Sequence, residues 1–581
     1  MWQGRRIVAV AQKPIWEQQT AEPFNADVIA QTLTLDKHVG RLLVQRGIDT
    51  VEQAASFLYP SVDQLHDPFL LTDAEVAIDR LFAAVERGER IAIHGDYDVD
   101  GITATVLLRR LFELMGANVM HYIPHRMIDG YGLQVAGIDR LHEAGAKVVI
   151  SVDCGIRSLD AANRARELGI DLIVTDHHEP SGVLPRALAV VNPRRNDSHY
   201  PDRNLSGAGV ALKIAQGICI RAEHVEWVPA LLKVAAIGTV ADVVPLRGEN
   251  RVITSLGLDA LTAGVHTKGL QALLDVCGLT GQRIESDDVS FRLAPRINAA
   301  GRMSSPEVAA RLLLSVDASS VDACRTLAER LDELNTRRRE QERKVTKAAC
   351  ETIDAESVGT ERPCHVVWSE DWHRGVIGIV ASRLAERFRR PAIVITVEGD
   401  QAYGSGRSIP GFDLLGALDH CESLLTQYGG HRQAAGIRLK SARLQEFRRQ
   451  FEGYVENKLL AGDCVPRLQV DAELQFASIT PKFIRDLRLL EPYGAGNRRP
   501  VFVASGVEIV DGPHALKSEH LRMTLGQGGR RFRAIAWGAG PDIGRFQSRR
   551  GGLKVAFSVT DNTYRDKTTT ELTIADLQED D

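Results

Sequence analysis

His94-Gly95-Asp96-Tyr97-Asp98-Val99-Asp100-Gly101 sets three carboxylates in alternation between two structural signals. The run before it, Arg90-Ile91-Ala92-Ile93-His94, reads as a buried strand, and the run from Ile102 to Met115 reads as a helix. His94, Asp96, Asp98 and Asp100 therefore crowd the carboxyl end of a strand, where open α/β sheets bind their ligands. Like charges this close repel unless something neutralises them. A divalent cation does so directly, and hard oxygen ligands suit Mg²⁺ or Mn²⁺.

The pattern repeats downstream. Lys147 to Gly155 is an apolar strand ending in Asp153, and Asp171 to His178 is another, ending in Asp176-His177-His178. Ala235 to Asp242 is an apolar run ending in Asp242. A lone Asp after a strand is usually a turn residue or a helix cap. Four such ends in series point to a metal site.

Composition sets the outer bounds. With 581 residues the chain is too long for one core, so several domains are expected. A hydrophobic content of 44% and a charged content of 25% are ordinary for globular proteins. The net charge of −5 means that any nucleic-acid site is a local patch. Eight Cys with no Cys-x-x-Cys pair argue against structural zinc or a disulfide framework, and for a reducing cytosol. The short apolar run after Met1–Arg6 is too brief for a signal peptide. Val228 to Leu246 carries Lys233 and Asp242, so it reads as a buried helix running into the catalytic edge and not as a membrane span.

The expected organisation is an α/β protein in five parts. Residues 1–70 form an N-terminal helical segment, and 71–312 a doubly wound, mostly parallel-sheet domain containing the loop Pro295 to Arg302. Residues 313–358 form a connecting helix with the stripe Leu327, Leu331, Leu334. Its polar middle, Asn335 to Lys344, suggests a solvent crossing between domains, although an ordinary surface helix fits too. Residues 359–462 form a second α/β unit, punctuated by glycine-rich loops at Tyr403–Ser408 and Tyr428–His431. Residues 463–581 read as a small antiparallel barrel. There Arg531, Phe532, Arg533, Trp537, Arg545, Phe546, Arg549 and Arg550 mix charge with aromatics. That mix suits stacking on bases and tracking phosphates, and equally suits an amphipathic barrel with solvated arginines.

The segments His94–Gly101, Ser151-Val152-Asp153, Asp176-His177-His178 and Asp242 resemble the DHH phosphoesterase superfamily. Asn298-Ala299-Ala300-Gly301-Arg302 and Gly429-Gly430-His431 narrow the resemblance to the RecJ family of bacterial single-strand-specific DNA exonucleases. The N-terminal segment Leu42–Pro60 is similar as well, and the likeness covers nearly the whole chain. It implies a DHH domain, a DHH-associated domain and an OB-fold-like barrel. It implies two divalent cations, Mn²⁺ or Mg²⁺. His94, Asp98 and Asp153 would hold one and Asp100, Asp153, His177 and Asp242 the other, with Asp153 bridging and Asp96 supporting the set. Asp98, Asp100, Asp153, His178 and Arg296 are the implied catalytic group, His178 and Arg296 meeting the scissile phosphate. Arg126, Ser405 and Arg407 would take the terminal 5′-phosphate. Asn298, Arg302, His431, Phe532 and Trp537 would make other substrate contacts.

The implied activity is 5′→3′ hydrolysis of single-stranded DNA to 5′-mononucleotides in recombination and repair. A cleft between the two α/β domains would admit one strand and exclude a duplex. The resemblance further implies a cytoplasmic monomer, with single-strand-binding protein and a RecQ-type helicase as partners and no membrane. Two rivals stand at this point. One is a pyrophosphatase, oligoribonuclease or cyclic-dinucleotide phosphodiesterase of the same superfamily, against which the length and the basic-aromatic C-terminal part count. The other is a DNA-binding scaffold with a vestigial metal site, against which the intact Asp98, Asp100, Asp153, His177 and Asp242 count.

Overall fold

The computed structural model describes residues 14–19, 23–130, 132–315, 320–356, 362–517, 519–547, 551–564 and 567–580. The N-terminal Met1–Arg6, Arg549, Arg550 and the side chain of Arg545 lie outside the described residues. The chain divides into two compact units, one of Gln18–Asp332 with Val470–Asp581, the other of Glu333–Gln469 with a short N-terminal stretch. The boundary falls inside one long helix.

The first unit is built on a five-stranded, wholly parallel sheet of β1 (Ile91–His94), β2 (Val119–Tyr122), β3 (Val148–Val152), β4 (Asp171–Thr175) and β5 (Ala189–Val191). β1 and β3 are buried along their whole length, which explains why they read as continuous apolar runs instead of alternating ones. The strand order is β2-β1-β3-β4-β5. Order reverses between β1 and β3, so a crevice opens beyond their carboxyl ends. Helices α1 (Val99–Leu114), α2 (Gly207–Arg221) and α3 (Val228–Ala241) pack together beside the sheet. Asp242 thus sits at the end of a helix, while the other three acidic ends follow strands. Pro295–Arg302, read as a loop, lies instead in helix α4 (Ala294–Met303). The π-helical stretch Val289–Leu293 runs directly into it, and Pro295, which has no N–H to donate to the preceding turn, stands just past that stretch.

The same unit contains the C-terminal barrel: β11 (Ala472–Glu473), β12 (Phe502–Leu516), β13 (His520–Gln527), β14 (Arg530–Ala536), β15 (Leu553–Tyr564) and β16 (Lys567–Glu579). Five strands close through β12-β13-β14-β16-β15 and back to β12, which removes the open edges, and β11 adds parallel to β12. The N-terminal helices Pro23–Thr32, Lys37–Val44 and Val51–Leu58 share this barrel's core. Val39, Leu42 and Leu43 are buried in one cluster with Phe483, Phe502 and Phe557. Arg251 is buried and donates to the carbonyls of Phe57, Leu489, Leu490 and Glu491.

In the second unit, β6 (His365–Ser369) runs parallel to β7 (Ala392–Glu398), which pairs antiparallel with β8 (Gln401–Arg407). β9 (Gln427–His431) and β10 (Ala434–Lys440) complete the order β9-β10-β8-β7-β6. The two glycine-rich stretches are therefore largely strands. A side chain at Gly404 would lie 2.7 Å from Cγ1 of Ile437 and 2.9 Å from Cγ1 of Ile395, so packing between β7 and β10 requires glycine there. Helix α5 (Val321–Glu356) passes from one unit to the other. Its polar middle is not wholly solvated. Glu342 is buried, taking Nη1 of Arg338 at 3.1 Å and the guanidinium of Arg383. Among the described residues, no helix is long and apolar enough to cross a membrane.

Candidate metal centre and substrate contacts

Asp98 caps α1, its Oδ1 accepting from the backbone N–H groups of Asp100 (3.0 Å) and Gly101 (3.1 Å). This turn sends Asp100 back into the protein. There Asp100 accepts from the first N–H groups of α2, Oδ2 from Gly207 at 2.6 Å and Oδ1 from Ala208 at 2.9 Å. Ser206 caps α2 and meets the hydroxyl of Thr239 on α3 at 2.9 Å. Gly207 is indispensable, since a Cβ there would lie 2.5 Å from Oδ1 of Asp153. Asp153 itself adopts a left-handed φ of 61°, a strained conformation that the strand end imposes.

The side chains converge on His177. Its Nε2 lies 3.1 Å from Oδ1 of Asp153, 3.6 Å from Oδ2 of Asp242 and 3.9 Å from Oδ2 of Asp100. A second group, Asp96, Asp98 and Asp153, places one oxygen from each within 4.8 Å of the others. Asp153 belongs to both neighbourhoods, the position of a bridging ligand. His94 is not in either. Its ring stands 3.7 Å from Sγ of Cys154 and packs beside Tyr122. Among the described residues it is Asp96 that stands beside Asp98 and Asp153, whereas the expected ligand His94 turns its ring to Cys154 and Tyr122.

Electrostatics explain what this cluster requires. Burial, then the Asp98 charge, raises Asp100 to about 7. Burial, with Asp100 and Asp98, raises Asp242 to about 9. Asp96 and Asp153 are pushed well above the ordinary carboxylate range by burial and by their acidic neighbours. His177 is pushed down to about 3 by burial and by His178, so it presents a neutral ring nitrogen, the form that binds metal. Oδ1 of Asp96, Oδ1 of Asp153 and Nε2 of His177 are buried without a hydrogen-bond partner. Buried lone pairs set among carboxylates in this way fit a divalent cation.

Asp176 had no assigned role in the sequence, and it anchors the His177-His178 backbone and the His178 ring. Its Oδ1 accepts from the backbone N–H of His177 at 2.7 Å and meets Nδ1 of His178 at 2.7 Å, while Oδ2 accepts from Ile156 N–H at 2.9 Å. Burial opposes its ionisation, but the His178 hydrogen bond and charge outweigh burial and hold it at about 2. His178 also loses something to burial, yet its bond to Asp176 raises its proton affinity overall. The Ser206-Gly207-Ala208 helix start, which cradles Asp100, is a further contributor that sequence reasoning missed.

Other expected contacts separate. Arg126 lies 4.9 Å from the ring centre of Tyr97, a cation–π contact, and Arg302 bears on the same tyrosine. Asn298 is half-buried on α4. Arg296 is engaged structurally: Nε and Nη2 meet Asp332 at 2.8 Å and Nη1 donates to the Arg292 carbonyl at 2.7 Å. All three of its nitrogens are thus tied into the helices. In the second unit Ser405 and Arg407 share the outward face of β8, with Nη1 of Arg407 donating to Oγ of Ser405 at 3.0 Å. Both abut Gly378 in the first turn of α6 (Ile377–Phe388), where helix N–H groups favour an anion. His431 is exposed at the end of β9. Phe532 is half-buried, its ring meeting Phe476 edge-on at 5.4 Å, so it packs the barrel instead of offering a stacking face. Trp537 meets His520 and lines a cavity of about 300 Å³ with Asn562 and Thr573.

Comparison with known proteins follows this geometry. Residues 90–239 match the DHH family N-terminal domain, 361–457 the DHHA1 domain and 470–576 the RecJ OB domain. The single-stranded-DNA-specific exonuclease RecJ of Escherichia coli (strain K12) is 35% identical over 485 residues, covering 80% of this chain and 82% of the relative. The chain belongs to the RecJ family. The Bacillus subtilis (strain 168) member is 36% identical over 89% of this chain, which spans 65% of that relative's length. The crystal structure of RecJ from Thermus thermophilus in complex with Mn²⁺ superposes with a TM-score of 0.83, at 29% identity over 97% of this chain and 79% of that one. Its Mg²⁺ complex gives a TM-score of 0.76 at 27% identity, over 97% and 78%. The family's three domains appear here in the order and at the positions that the fold describes.

Proposed function

We propose that the protein is a divalent-metal-dependent exonuclease that degrades single-stranded DNA 5′→3′ to 5′-mononucleotides, in recombination and repair. The observation that carries the reading is the buried, donor-poor cluster of Asp96, Asp98, Asp100, Asp153, His177 and Asp242 in a chain whose RecJ relatives were solved with Mn²⁺ and Mg²⁺. Asp100, His177 and Asp242 would hold one cation and Asp96 and Asp98 the other, with Asp153 common to both. When bound, such a pair supplies an activated water and stabilises the attacking and leaving oxygens of a phosphodiester.

The chain's own residues do the rest. Asp176 keeps Nδ1 of His178 engaged and raises the affinity of that ring for a proton. His178 is therefore suited to meeting the scissile phosphate as a cation. Arg126 and Arg302, beside Tyr97, add donors for the backbone. Ser405 and Arg407, at the α6 N-terminus, suit the terminal 5′-phosphate. Water adds to phosphorus and the P–O3′ bond breaks, so every cut leaves a new 5′-phosphate for the same pocket. The barrel matched to the RecJ OB domain suits the single strand beyond the site, with Trp537 available for a base. A cytoplasmic monomer working beside single-strand-binding protein and a RecQ-type helicase fits this substrate, because both act where single strands form.

The test is direct. The protein is incubated with 5′-labelled single-stranded and duplex DNA in Mn²⁺, Mg²⁺ or EDTA, and the products are identified. Labelled mononucleotides from the single strand, absent in EDTA, are expected. Release from the 3′ end, or hydrolysis of cyclic dinucleotides without DNA cleavage, overturns the reading.

A further inference from the structure

Asp242 is followed at once by the most strained position near the cluster. Val243 has a left-handed φ of 64°, an outlier for a β-branched residue. The residue is 69% exposed, so little packing of its own compensates. Strain of this kind persists only where the surroundings over-determine it. Here the surroundings come from far along the chain. The N–H of Leu246 donates to the carbonyl of Ala495 at 2.8 Å, and Nε of Arg247 donates to the carbonyl of Gly496 at 2.8 Å. Pro245 lies against Gly496, where an added Cβ would come within 2.9 Å of the Pro245 Cβ.

The turn that supplies these carbonyls is itself rigid. Gly494 and Asn497 exchange backbone hydrogen bonds of 2.9 and 3.2 Å. The buried Asn497 side chain donates to the carbonyls of Leu490 (2.7 Å) and Pro492 (2.9 Å) and accepts from Nε of Arg46 at 2.9 Å. The turn leads directly into β12 of the barrel. On the inner side of the loop, Nδ2 of Asn250 donates to the Pro245 carbonyl at 3.1 Å.

We propose that the turn Pro492–Asn497 is a brace for the metal centre: it clamps the strained loop Asp242–Arg247 and so aims the Asp242 carboxylate. Arg247 and Asn497 are then positioning residues, although neither reaches the cluster. The proposal rests on the reading of Asp242 as a metal ligand. It also gives the barrel a second task besides holding DNA, since loosening its first turn is felt at the site of hydrolysis.

The experiment titrates Mn²⁺ into metal-free full-length protein by calorimetry. Arg247→Ala removes an exposed side chain and one clamp bond. Gly496→Ala wedges the loop from the other side. Each should weaken Mn²⁺ binding roughly tenfold, the low end of what losing the groups that orient a ligand costs. Affinity for single-stranded DNA in EDTA should stay unchanged. Val243→Gly makes the left-handed conformation unstrained, so Arg247→Ala/Val243→Gly should recover much of the lost Mn²⁺ affinity, which a purely electrostatic role of Arg247 does not allow. Wild-type Mn²⁺ affinity in both single variants, or no recovery in the double variant, overturns the brace. Wild-type affinity in Asp242→Asn overturns instead the reading of Asp242 as a ligand.

Discussion

Replacing Asp100 with Asn tests the electrostatic account of the cluster. In the metal-free protein Asp100 keeps its proton to about 7, against an ordinary 3.8, because burial and the Asp98 charge disfavour the carboxylate. Between those values the native state binds a proton that the unfolded chain has lost, so stability falls as pH rises from about 4 to about 7. Moving one carboxyl that far amounts to about 4 kcal/mol, at about 1.4 kcal/mol for each tenfold in proton affinity. Asp242, raised to about 9, extends the decline to higher pH. Asn carries no charge and escapes this penalty. It has only one acceptor, however, where Asp100 accepts from both Gly207 and Ala208 N–H. One buried donor is then unmatched, at about 1–3 kcal/mol. The two effects cross: Asp100→Asn should be less stable than wild type at pH 4, where the wild-type decline has barely begun, and more stable at pH 8, both in EDTA. Thermal unfolding across pH reads this out. With Mn²⁺ at pH 8 the order should reverse again, since the variant has lost a carboxylate from one of the two cation sites and gains less from the metal. Parallel pH profiles for the two metal-free proteins would refute the reasoning, because they would mean that Asp100 does not carry the titration.

Arg407→Ala should slow removal of the first nucleotide from a 5′-phosphorylated strand by roughly tenfold or more, the worth of a charged hydrogen bond, and affect a 5′-hydroxyl strand much less. The comparison needs single-turnover conditions, because each cut regenerates a 5′-phosphate. Trp537→Ala should weaken binding of long single strands by about 1–3 kcal/mol without lowering stability, while Phe532→Ala should lower stability and leave DNA affinity nearer to normal; equal effects would reverse the packing assignment. Asp176→Asn should lower turnover and remove the His178 limb of the pH–rate profile, and an unchanged profile would place the titration elsewhere. Deleting residues from 463 onward should unfold the N-terminal helices, as judged by proteolysis and circular dichroism, while the second unit keeps its own sheet. The barrel buries the same core as Val39, Leu42 and Leu43, and Arg251 would lose three of its carbonyl partners.

The chemistry of this protein was legible in sequence because it is written locally. An apolar run such as Ile91–Ile93 declares a buried strand whatever surrounds it, and the carboxylates that follow must then lie at its carboxyl end. The same logic located Asp153, His177 and His178, and the spacing of short alternating strands announced the barrel. What the tertiary structure decided is orientation and partnership, which depend on residues distant in the chain. Whether His94 or Asp96 enters the cluster turns on how the chain leaves β1, and both satisfy the same sequence pattern. Asp332 claims Arg296 from another helix. Tyr403–Arg407 is glycine-rich because Ile395 and Ile437 press on Gly404, and Leu414 and Ile393 on Gly406, although by composition it looks like a loop. The N-terminal helices carry an apolar face with no sign of its partner, which lies more than 400 residues away in the barrel. Periodicity records that a face is to be buried; only the folded chain decides against what, because burial is a property of surfaces brought together and not of the segment that presents them.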